Sequence, residues 1–290
     1  MEGPPHPWTC RAPVFQPSEE EFADFEAFVS SIEPACADFG IAKVVPPASW
    51  SRPHAPLPGS FLMSGPTLQT VDASGHGRYH ISHRECPRVT FERFERLAAA
   101  AIRREGVAGC SEPEAAALFW SGLDKPSLAT VMSCPDIDAT RFPEPADQAE
   151  WNLGVLPDQL RRSAGDARPP QRLPGVTTPA LRVGQWRALS PLRTEESNRY
   201  ALCYHHSGSA RQWLASPPRA AHLVELVAAQ AFPQRSAACR QFLRHRSSLL
   251  APQTLATNGV PLCSLTQRQG KPTLIYMTLT LTPTLTLTLS

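Results

Sequence analysis

The chain's 290 residues are enough for one large or two modest domains with a core that stands alone, which excludes disorder throughout. Hydrophobic residues make up 42% and charged residues 19%, and 28 basic against 26 acidic side chains give a formal charge of +2, so no whole-chain field marks a polyanion binder. Pro at 31 against Gly at 16 implies long loops between short elements and excludes a helical bundle.

The eight cysteines, Cys10, Cys36, Cys86, Cys110, Cys134, Cys203, Cys239 and Cys263, form no C-x-x-C pair. The start Met1-Glu2-Gly3-Pro4-Pro5 has neither a basic nor an apolar leader region. A reducing compartment, cytosol or nucleus, is the expectation. The longest apolar run, Leu97 to Ile102, is far short of a bilayer span of ~18 residues. Neither a membrane nor direct DNA binding is indicated.

Residues 1–12 read as a flexible, Pro-rich lead-in. Ser18 with Glu21 three residues on forms a capping box, and Phe22, Phe25, Val29 and Ile32 then recur at helical spacing, predicting one amphipathic helix to Pro34. Gly40-Ile41-Ala42-Lys43-Val44-Val45 reads as a short buried strand stopped by Pro46-Pro47, with Trp50 just beyond. The stretch 51–89 reads as a long connection with one weak strand signal around Tyr79-His80-Ile81. A second helix begins near Thr90 with Phe91, Phe94, Leu97, Ala98 and Ile102 on one face, and a third surrounds Ala115 to Trp120. Residues 133–175 look loop-like. Short alternating segments follow over 180–216, the last two joined by Ser207-Gly208-Ser209 as a hairpin candidate. A last helix turns Leu223, Leu226, Val227 and Ala231 inward and leads to Phe232-Pro233.

From Thr278 the chain repeats Thr-Leu. A period of two fits a strand, but a dipeptide repeat is also what a six-nucleotide DNA repeat encodes, so the tail is read as low-complexity sequence rather than as a strand.

Pro13-Val14-Phe15-Gln16-Pro17-Ser18-Glu19-Glu20-Glu21-Phe22, followed by Gly40 to Pro47 and Trp50, resembles the JmjN segment of Jumonji histone lysine demethylases. Gly175-Val176-Thr177-Thr178-Pro179, Gly184-Gln185-Trp186, Thr194-Glu195, Arg211-Gln212-Trp213 with Pro217-Pro218, and Cys239-x5-His245 look like the JmjC catalytic domain. Phe242-Leu243-Arg244-His245 is similar to the subfamily acting on trimethylated lysine nine and lysine thirty-six of histone H3. The resemblance implies a mostly β fold with flanking helices, in which a JmjN helix-strand element packs on a double-stranded β-helix, or jelly-roll, incomplete at its C-terminus. It divides the chain into the lead-in (1–12), JmjN (13–54), a linker and helical region (55–130), a partial JmjC domain (131–277) and the Thr-Leu tail (278–290). It also implies nuclear localisation and a histone H3 tail or chromatin as partner.

The cofactors implied are Fe(II) and 2-oxoglutarate, with the metal held by H-x-D/E plus a distant His. Here that motif reads Arg193-Thr194-Glu195, and the distant position falls at Leu281. Glu195 is the one surviving ligand position, because Arg193 has five donors, no lone pair and a permanent charge. For 2-oxoglutarate, Arg211 stands where the family has a lysine and keeps the charge that would hold the far carboxylate. Cys203 and Ser133 replace its asparagine and tyrosine, and the substrate-facing tyrosines become Ala180 and Arg182. Cys239 and His245 resemble half of a structural zinc site whose other cysteines would lie beyond Ser290.

Blander readings stand beside these. His83-Arg84-Glu85 has ligand-like spacing but reads as part of a Pro-bounded loop, His205 and His206 read as hairpin residues, and Cys239 as an ordinary buried thiol. Three function classes remain open: an active demethylase, a catalytically dead chromatin-binding Jumonji-fold module, and a truncated gene product.

Overall fold

The computed structural model describes residues 9–50, 56–125, 130–141, 151–153, 173–194, 200–270, 272–275 and 279–283. Two short strands, β1 (Thr9–Arg11) and β2 (Val14–Phe15), precede the first helical region. The capping box forms: the Glu21 amide donates to Ser18 Oγ at 3.2 Å and the Ser18 amide to Glu21 Oε2 at 2.8 Å. The single helix expected to Pro34 is two, α1 (Glu19–Ala23) and α2 (Phe25–Phe39), because extended Asp24 ends the first and caps the second by accepting from the Ala27 amide at 2.9 Å. Pro34 does not stop α2. The missing amide is outweighed by burial of Phe28, Ile32 and Cys36, and the helix ends at Gly40, whose left-handed conformation (φ 78°) sends its amide to the Cys36 carbonyl.

Behind these helices, Phe22 stacks on Trp151 with centroids 4.5 Å apart and planes 5° from parallel, and the Trp151 indole donates to the Phe22 carbonyl at 2.9 Å. Ala42 and Val44 of β3 (Ile41–Val44), with Trp50 and Leu202, complete this cluster. The expected buried strand is present, with all four residues buried.

The stretch expected to be one long connection holds β4 (Leu62–Met63), β5 (Thr67–Ala73), β6 (Arg78–Glu85) and β7 (Val89–Thr90). β5 and β6 form a hairpin from Thr67↔Glu85 to Ala73↔Tyr79, so His83 and Glu85 lie on a strand, not in a loop. Gln69 hides the pattern: it points inward at 2% exposure, donating to the Leu189 carbonyl at 2.8 Å and accepting from the Leu189 amide at 3.0 Å. Of the 133–175 stretch, β8 (Val131–Ile137) is a strand rather than a loop, while 142–150 and 154–172 lie outside the described residues.

Helix α3 (Phe91–Glu105) starts on its Thr90 cap, and α4 (Glu112–Leu123) on Ser111, whose amide donates to Glu114 Oε2 at 2.7 Å. Phe91, Phe94, Ala98 and Ile102 are buried, whereas Leu97, expected on that face, lies about 100° round the helix and is exposed. Helix α5 (Ala221–Ala231) departs likewise from its expected face. It buries Val224, Val227 and Ala228, while Leu226 is exposed and Leu223 and Ala231 are half-buried. Helix α6 (Pro233–Ala238) follows directly, and α7 (Pro252–Thr257) lies beyond β13 (Ser248–Leu250). Among the described residues no helix is long and apolar enough to cross a membrane.

The β-rich part comprises β9 (Leu181–Gly184), β10 (Leu189–Arg193), β11 (Ala201–Tyr204), β12 (Arg211–Ser216), β14 (Leu262–Gln267), β15 (Pro272–Ile275) and β16 (Leu279–Pro283). One sheet runs β1-β14-β12-β16-β10, a second β11-β15-β3-β2 and a third β13-β6-β5-β8-β9. β11 and β12 are not the expected hairpin: β11 pairs with β15 and β12 with β14 and β16, so Ser207-Gly208-Ser209 is a corner between two sheets. Such alternation between sheets is how a jelly-roll is wound, and the fold is mostly β with flanking helices. The Thr-Leu repeat also departs from its reading, because residues 279–283 pair with both β12 and β10. Its period of two and β-branched threonines suit a two-sided sheet position.

Replacing Trp151 by Ala is expected to cost about 3–5 kcal/mol in urea denaturation, through loss of the buried ring and its hydrogen bond. Leu97→Ala, at an exposed site, is expected to change stability by less than about 0.5 kcal/mol.

Candidate functional site

Strands β12, β16 and β10, consecutive at one end of the large sheet, carry on neighbouring strands the two positions where the resemblance looks for iron-binding imidazoles. Arg193, the last residue of β10, stands opposite Thr280, which also pairs with Ala215 of β12, and position 281 is the next residue along β16, opposite Leu214. The Arg193 side chain is buried, at 3% exposure, and its Nη1 donates to the Thr194 carbonyl at 3.1 Å. Glu195 lies outside the described residues. At positions 193 and 281, where the resemblance looks for imidazoles, a guanidinium and a leucine do not fit Fe(II): neither offers a lone pair, and the first repels a cation.

Arg211 opens β12 opposite Gln267 and donates from Nη2 to the Arg182 carbonyl of β9 at 3.4 Å. Its stem is partly accessible, but its Nε is sealed from solvent without a hydrogen bond. Burial holds the Arg211 pKa below its ordinary value; the Cys203 thiol opposes that shift and the Arg182 charge adds to it. Arg211 and Cys203 are thus neighbours. Ser133 differs: on β8 opposite Gly184, its hydroxyl lies 3.4 Å from that of Thr67 on β5. Ala180 and Arg182 flank Leu181, the first residue of β9, both half-buried, and Arg182 lies 4.0 Å from Asp136.

Several residues of this region escape a reading by motif. Gln267 is fully buried, accepts from the Trp213 indole at 3.0 Å and donates to the Cys203 carbonyl at 2.8 Å, tying the large sheet to the small one beside Arg211. Its signal was the alternation in Leu262–Gln267, which turns residues 263, 265 and 267 inward together. Lys43, buried on β3, donates to the Thr266 carbonyl at 3.1 Å across the same gap. His205, just past β11 and 3% exposed, bonds through Nε2 to the Ser209 carbonyl at 2.9 Å. It belongs to the corner rather than to a hairpin strand.

The zinc half-site is not supported. Cys239 ends α6 and packs against the main core cluster, while His245, last residue of the 3-10 turn Phe242–His245, is exposed. Among the described residues no group of three or more His, Cys, Asp or Glu is placed to hold a metal ion. His83 is likewise engaged elsewhere, with Nε2 3.2 Å from the Arg246 carbonyl.

Burial, reinforced by the Arg211 charge, pushes His205 down from an ordinary 6.5 to about 4. The unfolded chain therefore binds a proton that the folded chain refuses between those values. This stability is fully present above pH 6.5 and is lost as pH falls towards about 4, by ~3 kcal/mol. Urea denaturation across that window is expected to show a smaller loss for His205→Gln than for the parent chain.

The chain matches the jmjN domain over residues 13–46 and the JmjC domain, hydroxylase, over residues 180–277. It is 28% identical over 268 residues to lysine-specific demethylase 4D of Rattus norvegicus, an alignment covering 90% of this chain and 50% of that protein. It is 29% identical over 262 residues to probable lysine-specific demethylase 4F of Homo sapiens, covering 89% and 39%, and 27% identical over 271 residues to lysine-specific demethylase 4B of Mus musculus, covering 91% and 24%. The chain spans half or less of the length of these relatives. Both domain matches fall on strands that build the two sheets around Arg211 and Arg193, so the chain carries regions similar to the jmjN and JmjC domains and resembles lysine-specific demethylases along most of its length.

Proposed function

We propose that this chain is a non-catalytic, nuclear, chromatin-binding member of the histone lysine demethylase family, taking the histone H3 tail as partner without oxidising it. The observation that carries this reading is Arg193: a permanent cation, 3% exposed, at the position of the first iron-binding imidazole. Leu281, where the resemblance looks for the second imidazole, lies one residue along the neighbouring strand, so the residues present do not suit Fe(II) and no oxidative step is derived for them. Arg211 supports retained binding, because a guanidinium with a sealed, unbonded Nε is a ready partner for a carboxylate, 2-oxoglutarate included.

The test is succinate production from 2-oxoglutarate with Fe(II) and H3 peptides trimethylated at lysine nine or lysine thirty-six, paired with fluorescence anisotropy of the same peptides. No succinate above the protein-free control, with saturable peptide binding, is the expected result; iron-dependent turnover contradicts the reading, as does absence of binding. Arg193→His alone is expected to leave turnover at zero, because position 281 remains a leucine. In calorimetry without metal, Arg211→Ala is expected to weaken 2-oxoglutarate binding by roughly 10-fold to 100-fold, the worth of a charge-assisted pair.

A further inference from the structure

Strand β1 is three residues long, lies at the edge of the large sheet and pairs in parallel with β14, with Thr9 opposite Leu262, Cys10 opposite Cys263 and Arg11 opposite Ser264. Two cysteines thus face each other across one ladder rung. Neighbouring strands run about 4.8 Å apart, within the ~4.4–6.8 Å between Cα atoms that a disulfide spans. The Cys10 thiol is near enough to add to the upward push that burial gives the Cys263 pKa. Their register is pinned on either side: Thr9 Oγ1 donates to Ser264 Oγ at 3.1 Å, and the Ala12 amide donates to the Ser264 carbonyl at 3.0 Å.

The environments of the two sulfurs are complementary. Cys10 is exposed and open to an oxidant, whereas Cys263 is 1% exposed and sealed beneath it, with its thiol on the Phe39 carbonyl at 2.8 Å. All eight cysteines are free thiols in this structure. We propose that Cys10 and Cys263 are a reversible redox site, closing to a disulfide under hydrogen peroxide and fastening β1 to the sheet of the JmjC domain.

The chemistry balances. Peroxide oxygen transfers to the Cys10 sulfur, giving a sulfenic acid and one water. The Cys263 sulfur then attacks the Cys10 sulfur, the S–S bond forms, the S–O bond breaks, and the hydroxide leaves with the Cys263 proton as a second water. Both thiols are oxidised, one electron each, and the peroxide is reduced. A dithiol reductant reverses the step by exchange. The bond joins a strand just ahead of the jmjN match at 13–46 to one inside the JmjC match at 180–277. It keeps β1 over the exposed edge of β14, an edge otherwise open to pairing with other chains.

The experiment exposes the full chain to a small excess of hydrogen peroxide, blocks the remaining thiols, digests without reductant and maps cross-linked peptides by mass spectrometry. The expected product is a Cys10–Cys263 peptide pair lighter by two hydrogens, abolished by dithiothreitol and absent from Cys10→Ser. The oxidised parent is expected to melt about 5 °C above the reduced one, with no such shift in Cys10→Ser. Cys10 is exposed, so that variant keeps the fold. Recovery of Cys10 unreacted, as sulfinic acid, or linked to a second copy, with Cys263 a free thiol, overturns the proposal. So does preferential linkage of Cys86 with Cys134, a neighbouring pair with no shared ladder rung.

Discussion

Arg193 ends β10 with its side chain 3% exposed and one nitrogen on the Thr194 carbonyl, and a buried permanent cation of this kind dictates what can surround it. It excludes a divalent metal from its own position and favours oxygen acceptors around it. The strand carrying it is held on both sides: β16 pairs along one edge, and Gln69 grips both backbone groups of Leu189 from the hairpin below. These contacts hold the start of the strand, and Arg193 closes it opposite Thr280.

The two sheets that enclose the site are completed by the N-terminal segment. β1 extends the large sheet beyond β14, while β2 and β3 extend the small sheet beyond β15. Lys43 and Gln267 cross the gap between the sheets with buried hydrogen bonds, and the Phe22–Trp151 stack braces the helices outside. Arg211 sits where these supports converge, next to Cys203, Arg182 and His205. A cation kept below its ordinary pKa by burial is stabilised by any carboxylate that reaches it, which links a structural cost to a binding property.

Local chemistry was legible from the chain. The Ser18 capping box and the buried strand at 41–44 follow from residue types a few positions apart. What depends on distant partners was not. Ser207-Gly208-Ser209 has the composition of a hairpin turn, yet the strands either side find better partners in β15 and β14. The β5–β6 hairpin was masked by polar Gln69, whose inward position makes sense only against Leu189, and Leu97 and Leu226 were assigned by apolarity although helix geometry turns them outward. The Thr-Leu repeat was discounted for its simplicity, but alternation alone is enough to fill a vacant place between β12 and β10. At the site, Arg193, Arg211 and Cys203 were identified by motif, whereas Gln267, Lys43 and the depressed His205 emerge only once the sheets are closed.

The account turns on whether the altered ligand positions can hold a divalent cation. Titration of the purified chain with Mn(II), a redox-stable stand-in for Fe(II), followed by electron paramagnetic resonance in the presence of 2-oxoglutarate, reads this directly. The account predicts that the free-ion signal grows in proportion to added metal, as in a protein-free control. A saturable loss of that signal at one ion per chain would contradict it.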